Sequence, residues 1–126
     1  MYARDADWQV RAEVASNRRT PQQVLHALAR DTDQRVRTAV ATNLSTAPAT
    51  FMVLVHDHDV AVRRIVARFE YVPPGVLDVL AQDPDLGVRI EVARNLNTTA
   101  RTLRRMVRQE SGELRVVAEQ MLLEKQ

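Results

Sequence analysis

Three groups of side chains in this sequence have types and spacings that could do chemistry. His56-Asp57-His58-Asp59 puts four potential metal ligands in a row. A column of arginines, Arg11, Arg37, Arg63, Arg89 and Arg115, each lies six residues after Asp5, Asp31, Asp57, Asp83 and Gln109, and could follow a phosphate backbone as a basic stripe. Arg101, Arg104, Arg105 and Arg108 fall at i, i+3, i+4 and i+7, which on a helix is one continuous cationic face. Nucleophilic chemistry has little to draw on. There is no cysteine, no glycine-rich phosphate loop occurs, and Ser16, Ser45 and Ser111 stand at cap or turn positions.

The elements that must position these groups are set by a 26-residue period. Aligned on Val-Arg, DADWQVRAEVASN from Asp5 is rewritten as DTDQRVRTAVATN from Asp31, DHDVAVRRIVARF from Asp57 and DPDLGVRIEVARN from Asp83, and QESGELRVVAEQM from Gln109 repeats the first half. A second phrase follows in each of the first four units, shaped Thr-Pro-x-x-x-Leu-x-x-Leu-Ala. The chain therefore reads as repeats 5–30, 31–56, 57–82 and 83–108 with a C-terminal half-repeat and cap, 109–126, in a single domain, 1–126. In register, His56-Asp57-His58-Asp59 is the ordinary Asp-x-Asp turn with histidines at two variable offsets. Only His26 remains to complete three or four ligands, so no metal site is expected.

Each unit predicts two short helices. Asp7, Asp33, Asp59, Asp85 and Ser111 can cap the first helix through a side-chain oxygen. Val10 and Val14, Val36 and Val40, Val62 and Val66, and Val88 and Val92 then form an i,i+4 stripe beside the small Ala15, Ala41, Ala67 and Ala93. Asn17, Asn43 and Asn95 follow where a left-handed residue is expected to end the helix, with Phe69 breaking the rule. Thr20-Pro21 and Val72-Pro73 open the second helix with proline at its first position, and Thr20 with Gln23 fits a capping box. Leu25 and Leu28, Phe51 and Leu54, Leu77 and Leu80, and Leu103 and Met106 are its inward pairs. Segments this short must bury their stripes on the next unit, which makes the fold an all-α, HEAT-like α-solenoid.

Asp-x-Asp-x-x-Val-Arg-x-x-Val-Ala-x-Asn followed by Thr-Pro and Leu-x-x-Leu-Ala resembles the leucine-rich repeat variant, a bacterial family akin to HEAT repeats, over nearly the whole chain. The resemblance implies a right-handed superhelix of α and short α or 3₁₀ segments without strands. It also implies that Asp5, Asp31, Asp57 and Asp83 join Arg11, Arg37, Arg63, Arg89 and Arg115 in a structural ladder between units, for which a bidentate, partly buried pair is the favoured geometry. One form of the family carries a cysteine-ligated iron–sulfur cluster. Without cysteine this chain has no donors for it, and no cofactor is expected.

Composition sets further bounds. A chain of 126 residues with 45% hydrophobic and 27% charged residues can bury roughly two thirds of its surface as one domain. No apolar run reaches the roughly 18 residues of a membrane helix, and Met1-Tyr2-Ala3-Arg4 does not begin a signal peptide, so a cytoplasmic protein is expected. The pI of 9.7 overstates the attraction for polyanions, because the net charge is only +2. Arginine supplies seventeen of the eighteen basic residues and does not titrate below about pH 12. The basic excess lies in residues 60–108, nine arginines against five acids.

Function in a repeat protein is expected where units depart from one another. Arg101, Arg104, Arg105 and Arg108 replace Gln23, His26, Ala27 and Arg30 of the first unit, and Arg64, Arg68 and Arg94 lie on outer offsets nearby, together a candidate anion or partner site. Phe69 and Tyr71, on a turn continuing Val72-Pro73-Pro74-Gly75, are candidate protein contacts, as is Met52, which with Pro48, Ala49 and Val53 makes one second helix mildly apolar outside. Met1-Tyr2-Ala3-Arg4 aligns with the end of a missing second helix, leaving an N-terminal edge open to self-association. The last helix, with Glu113, Glu119, Gln120, Glu124 and Lys125 outside, reads as a cap. The expectation is a non-catalytic scaffold for protein–protein interaction. Nucleic-acid or polyanion binding by the arginine face of repeats three and four is the alternative. A HEAT-like nucleic-acid repair enzyme comes third, disfavoured because five aromatics leave little for base stacking.

Overall fold

A computed structural model describes residues 4–126. Those residues form nine α-helices and no strand. In chain order they are α1 (Trp8–Ser16), α2 (Gln22–Leu28), α3 (Gln34–Ala41), α4 (Pro48–Leu54), α5 (Val60–Arg68), α6 (Pro74–Leu80), α7 (Leu86–Arg94), α8 (Ala100–Gln109) and α9 (Gly112–Glu124). Each 26-residue unit is thus a first helix of eight or nine residues and a second of seven, lengthening to ten in α8. The helices group into two compact units, one ending at Val66 and one from Ala67 to Gln126. What was expected of Met1, Tyr2 and Ala3 lies outside the described residues.

The Asp-x-Asp turn starts every first helix by two successive side-chain bonds. The first aspartate accepts from the backbone N–H of the second, Asp5 from Asp7 at 2.8 Å and Asp31, Asp57 and Asp83 from their partners at 2.9 Å. The second then caps the helix: Asp7 accepts from Gln9 N, Asp33 from Arg35 N, Asp59 from Ala61 N and Asp85 from Val88 N, at 2.8–3.0 Å. Each bond satisfies a donor that the first helical turn leaves orphaned. Ser111 occupies the N-cap of α9 without a side-chain bond. The chain turns there through Gly112, whose φ of +61° is in the region that favours glycine.

The expectation for the asparagines is overturned. Asn17 and Asn95 are extended, with φ near −80°, and no described residue other than glycine has positive φ. The amides do different work. Asn43 donates from Nδ2 to the carbonyls of Ala15 (2.8 Å) and Asn17 (3.0 Å), one repeat earlier, and accepts from Ser45 N (2.8 Å). Asn95 repeats this on Ala67 (2.8 Å), Phe69 (2.9 Å) and Asn97 N (2.9 Å). The carbonyls so reached lie at or just past the end of the preceding first helix, where intrahelical partners run out. One buried amide closing that end and its own turn accomplishes more than a left-handed cap would.

The Thr-Pro step is also shifted. Thr20, Thr46 and Thr98 face backwards, each hydroxyl donating to the carbonyl six residues before it, of Val14, Val40 and Val92, at 2.6–2.7 Å. The Thr20–Gln23 capping box therefore does not form. Pro21 and Pro73 are themselves the N-caps of α2 and α6, while Pro48 and Pro74 take the first helical position.

The core follows the periodic stripe. Val36, Val40, Val62, Val66, Val88 and Val92, the four alanines, and Leu25, Leu54, Leu77, Leu103 and Met106 are fully buried. Val10 and Val14, in the first unit's α1, are only half-buried. In the same unit the Arg35 guanidinium lies 3.4 Å from the centroid of the Trp8 ring and grips Asp33 through Nε (3.0 Å) and Nη2 (2.8 Å). That grip, with the backbone bond from Arg35, holds the Asp33 carboxyl down at about 2. A carboxyl whose folded value lies below its unfolded one stabilises the fold above the unfolded value, and the contribution fades as pH falls towards the folded one. Asp33→Asn should therefore lower the urea midpoint near pH 5, and the gap from the parent should close as the pH approaches about 2.

Candidate functional site

The Asp and Arg column is an interlocking set of bonds. Arg11 donates from Nε and Nη2 to the Asp31 carboxylate (2.8 and 3.1 Å) and from Nη1 to the Asp5 carbonyl (2.7 Å). Arg37 does the same to Asp57 (2.7 Å from Nε) and the Asp31 carbonyl (2.8 Å). The residue six positions back is thus met through its backbone, and the carboxylate comes from the following repeat. Arg63 donates to the Asp57 carbonyl (2.8 Å). Arg89 donates to the Asp83 carbonyl (2.9 Å) and takes Glu110 (3.0 Å), since Gln109 holds the aspartate's offset. Arg115 departs from the expected ladder: it pairs with Glu119 on its own helix at 2.9 Å, both largely exposed. Arg37 and Asp57 are the most enclosed pair, 5% and 4% exposed, so their charges are committed to each other.

His56 and His58 are exposed, with His58 Nδ1 3.7 Å from Asp57 Oδ1. The described residues contain no group of three or more His, Asp or Glu side chains arranged to hold a metal.

The α8 arginines are placed by the helix's amphipathic pattern. Thr99 caps α8 by accepting from Thr102 N (3.2 Å), and Leu103 and Met106 are buried, which turns Arg101, Arg104 and Arg108 to solvent. Arg105 differs. Its Nη2 donates to the Asp78 carboxylate (2.8 Å) and carbonyl (3.1 Å) on α6, and its buried Nε has no acceptor. Thr102 Oγ1 donates to the same carboxylate at 2.9 Å. Between α6 and α8 runs a shallow groove of ≈ 310 Å³, walled by Asp78, Thr99, Arg101, Thr102 and Arg105 with Pro74-Gly75 at one end. Arg101, Arg104 and Arg108 have no ion pair among the described residues.

Arg68 and Arg94 end α5 and α7, and Arg68 Nε stands 3.6 Å from Glu91. Arg64 is an exposed residue of the first unit.

The aromatic turn is rigidly built. Tyr71 is 62% exposed, and the edge of one ring meets the face of the other where it packs on Phe69, 5.7 Å between centroids and 66° between planes. Asn97 braces the loop from the next repeat, donating from Nδ2 to the carbonyls of Glu70 and Val72. Leu96, at the equivalent turn, is 79% exposed, and its carbonyl accepts from Lys125 Nζ at 3.0 Å. Met52 is exposed beside Pro48 and Ala49 in the first unit. Sequence reasoning passed over Leu96 and its counterpart Leu44, also exposed. The signal was an apolar residue directly after the repeat asparagine, where the first and third units carry Arg18 and Glu70.

Paired short helices on a 26-residue period, tied by side chains reaching into adjacent repeats, define an α-helical repeat protein. The profile of the family described as leucine rich repeat variant matches residues 8–33, one full period from the start of α1 to the cap of α3, so that stretch is similar to the repeat of that family. No curated protein and no solved structure matches it. No described helix is long and apolar enough to cross a membrane.

Proposed function

We propose that this repeat scaffold is non-catalytic and binds another protein through the turns between its paired helices. The observation that supports this reading is the braced, exposed Tyr71 turn with Leu96 at the equivalent turn of the next repeat. A large side chain held in place before binding loses little freedom on association, and buried aromatics dominate contact energetics when a partner covers them. The Asp, Asn, Thr and ladder-Arg columns fit the same reading, because internal bonds hold the groups that would otherwise be candidates for chemistry.

Affinity capture from nuclease-treated lysate of the source cells, compared by quantitative mass spectrometry between the parent and a Tyr71→Ser/Leu96→Ser variant, tests it. One or a few proteins lost with the variant, then bound by the purified parent at least tenfold more tightly in calorimetry, is the expected result. Identical recovery by both proteins would count against the turns. Polyanion binding is the second reading, favoured by the three α8 arginines without ion-pair partners.

A further inference from the structure

The α8 face is expensive for its own helix. Arg101 with Arg105 and Arg104 with Arg108 are like charges at i,i+4, a spacing at which they repel, and Arg101 sits in the first turn, where the helix dipole disfavours a cation. Asp78 relieves only Arg105. Leu103 and Met106 bury the other side of α8 whether or not these positions are charged, so packing does not require the arginines.

We propose that the exposed face of α8, with the groove it forms against α6, docks an acidic segment of a partner protein; this rests on the protein-binding reading above. With a rise of about 1.5 Å per residue, Arg101, Arg104 and Arg108 stand about 4.5 and 6 Å apart along the helix axis. Alternate residues of an extended peptide are spaced about 6.6–6.8 Å, about 1–2 Å wider than these steps, a difference that flexible Arg and Glu side chains take up, so carboxylates on every second residue come within reach of successive guanidinia, each able to take one in a bidentate pair. Asp78, half exposed in the groove, supplies an acceptor for the peptide backbone.

Three observations favour an acidic protein segment over nucleic acid. Asp78 is 50% exposed in the groove and repels a continuous run of phosphates. No aromatic side chain lines the groove to stack on a base. The second unit carries nine basic residues, eight Arg and Lys125, against nine acidic ones, so its positive charge is a local patch rather than a net field.

The test is fluorescence anisotropy with the full chain and two labelled probes, a peptide of alternating Glu and Ser and a single-stranded oligonucleotide of equal charge, across a salt series. The parent should bind the peptide more tightly than the oligonucleotide. Arg101→Glu/Arg104→Glu/Arg108→Glu should weaken peptide binding at least tenfold and the matching Gln variant by less, with both folded by circular dichroism. Tighter oligonucleotide binding, lost in the same Glu variant with a steep salt slope, would overturn the proposal for a polyanion site. Peptide binding that is absent, or indifferent to the charge reversal, would overturn it outright. The protein-binding reading is tested separately, at Tyr71 and Leu96, so either idea can fail alone.

Discussion

Replacing Arg37 with methionine is expected to destabilise the first unit by about 3–5 kcal/mol, the cost of leaving a buried carboxylate without its partner. Asp57 is 4% exposed and has Arg37 Nε at 2.7 Å. The same substitution frees the Asp31 carbonyl that Nη1 now binds at 2.8 Å. Against the roughly 5–15 kcal/mol that holds small domains folded, such a loss brings the unit near unfolding at ambient temperature. Trp8 is the chain's single tryptophan and belongs to this unit, so its fluorescence in a urea titration reports the change directly. The double variant Arg37→Met/Asp57→Leu should be less damaging than the sum of its single changes, because neither charge remains to be stranded. A cost below about 1 kcal/mol for Arg37→Met would show that the pair is solvated and the ladder incidental.

Asn95→Ala should have the second largest effect, about 2–4 kcal/mol. It strands the Ala67 carbonyl and the Asn97 N–H, each costing about 1–3 kcal/mol if nothing replaces the amide, and leaves the Phe69 carbonyl only its bond from Val72 N, with partial relaxation keeping the total below the sum. Asn43→Ala makes the same deletion in the first unit and should behave alike. Asn17 is the internal control. Its side chain is exposed and is bonded only by Arg19 N at 2.9 Å, so Asn17→Ala should cost no more than about 1 kcal/mol. Denaturation followed by far-UV circular dichroism ranks the three. Equal losses at Asn17 and Asn95 would mean that the turn, rather than the reach to the preceding repeat, is what the residue provides.

The helices and their buried faces were legible in the sequence because a period repeats the same evidence. Asp7, Asp33, Asp59 and Asp85 cap as their type and offset predict, and the valine, alanine and leucine columns are the core. What was not legible is what a side chain does across a repeat boundary. Asn43 and Asn95 sit where a helix-ending residue belongs, and local rules alone assign them to their own turn. Their bonds go to residues 26 and 28 positions earlier, a distance that local propensity does not see. Thr20 misled for a related reason, since its hydroxyl serves the helix behind it rather than the one ahead. At the candidate site, the helical face of Arg101, Arg104 and Arg108 was visible from spacing alone. The diversion of Arg105 to Asp78 was not, because it depends on which helix packs beside α8.

The side-chain bonds between repeats have a direction. Guanidinia reach forward to a carboxylate twenty or twenty-one residues on, and asparagine amides reach back to carbonyls in the previous unit. The donors of both connections sit in or at the end of a repeat's first helix, and their acceptors recur at the same offsets in the neighbouring repeat. In genetic terms, an in-frame duplication of a complete 26-residue cassette brings its own donors and acceptors and leaves nothing unmatched at the new junction. A one- or two-residue insertion between the end of one first helix and the start of the next would shift both connections at once. Such an architecture can grow or shrink in whole cassettes but is brittle to small slips, and a gene built this way can change its length faster than its repeat can change its spelling.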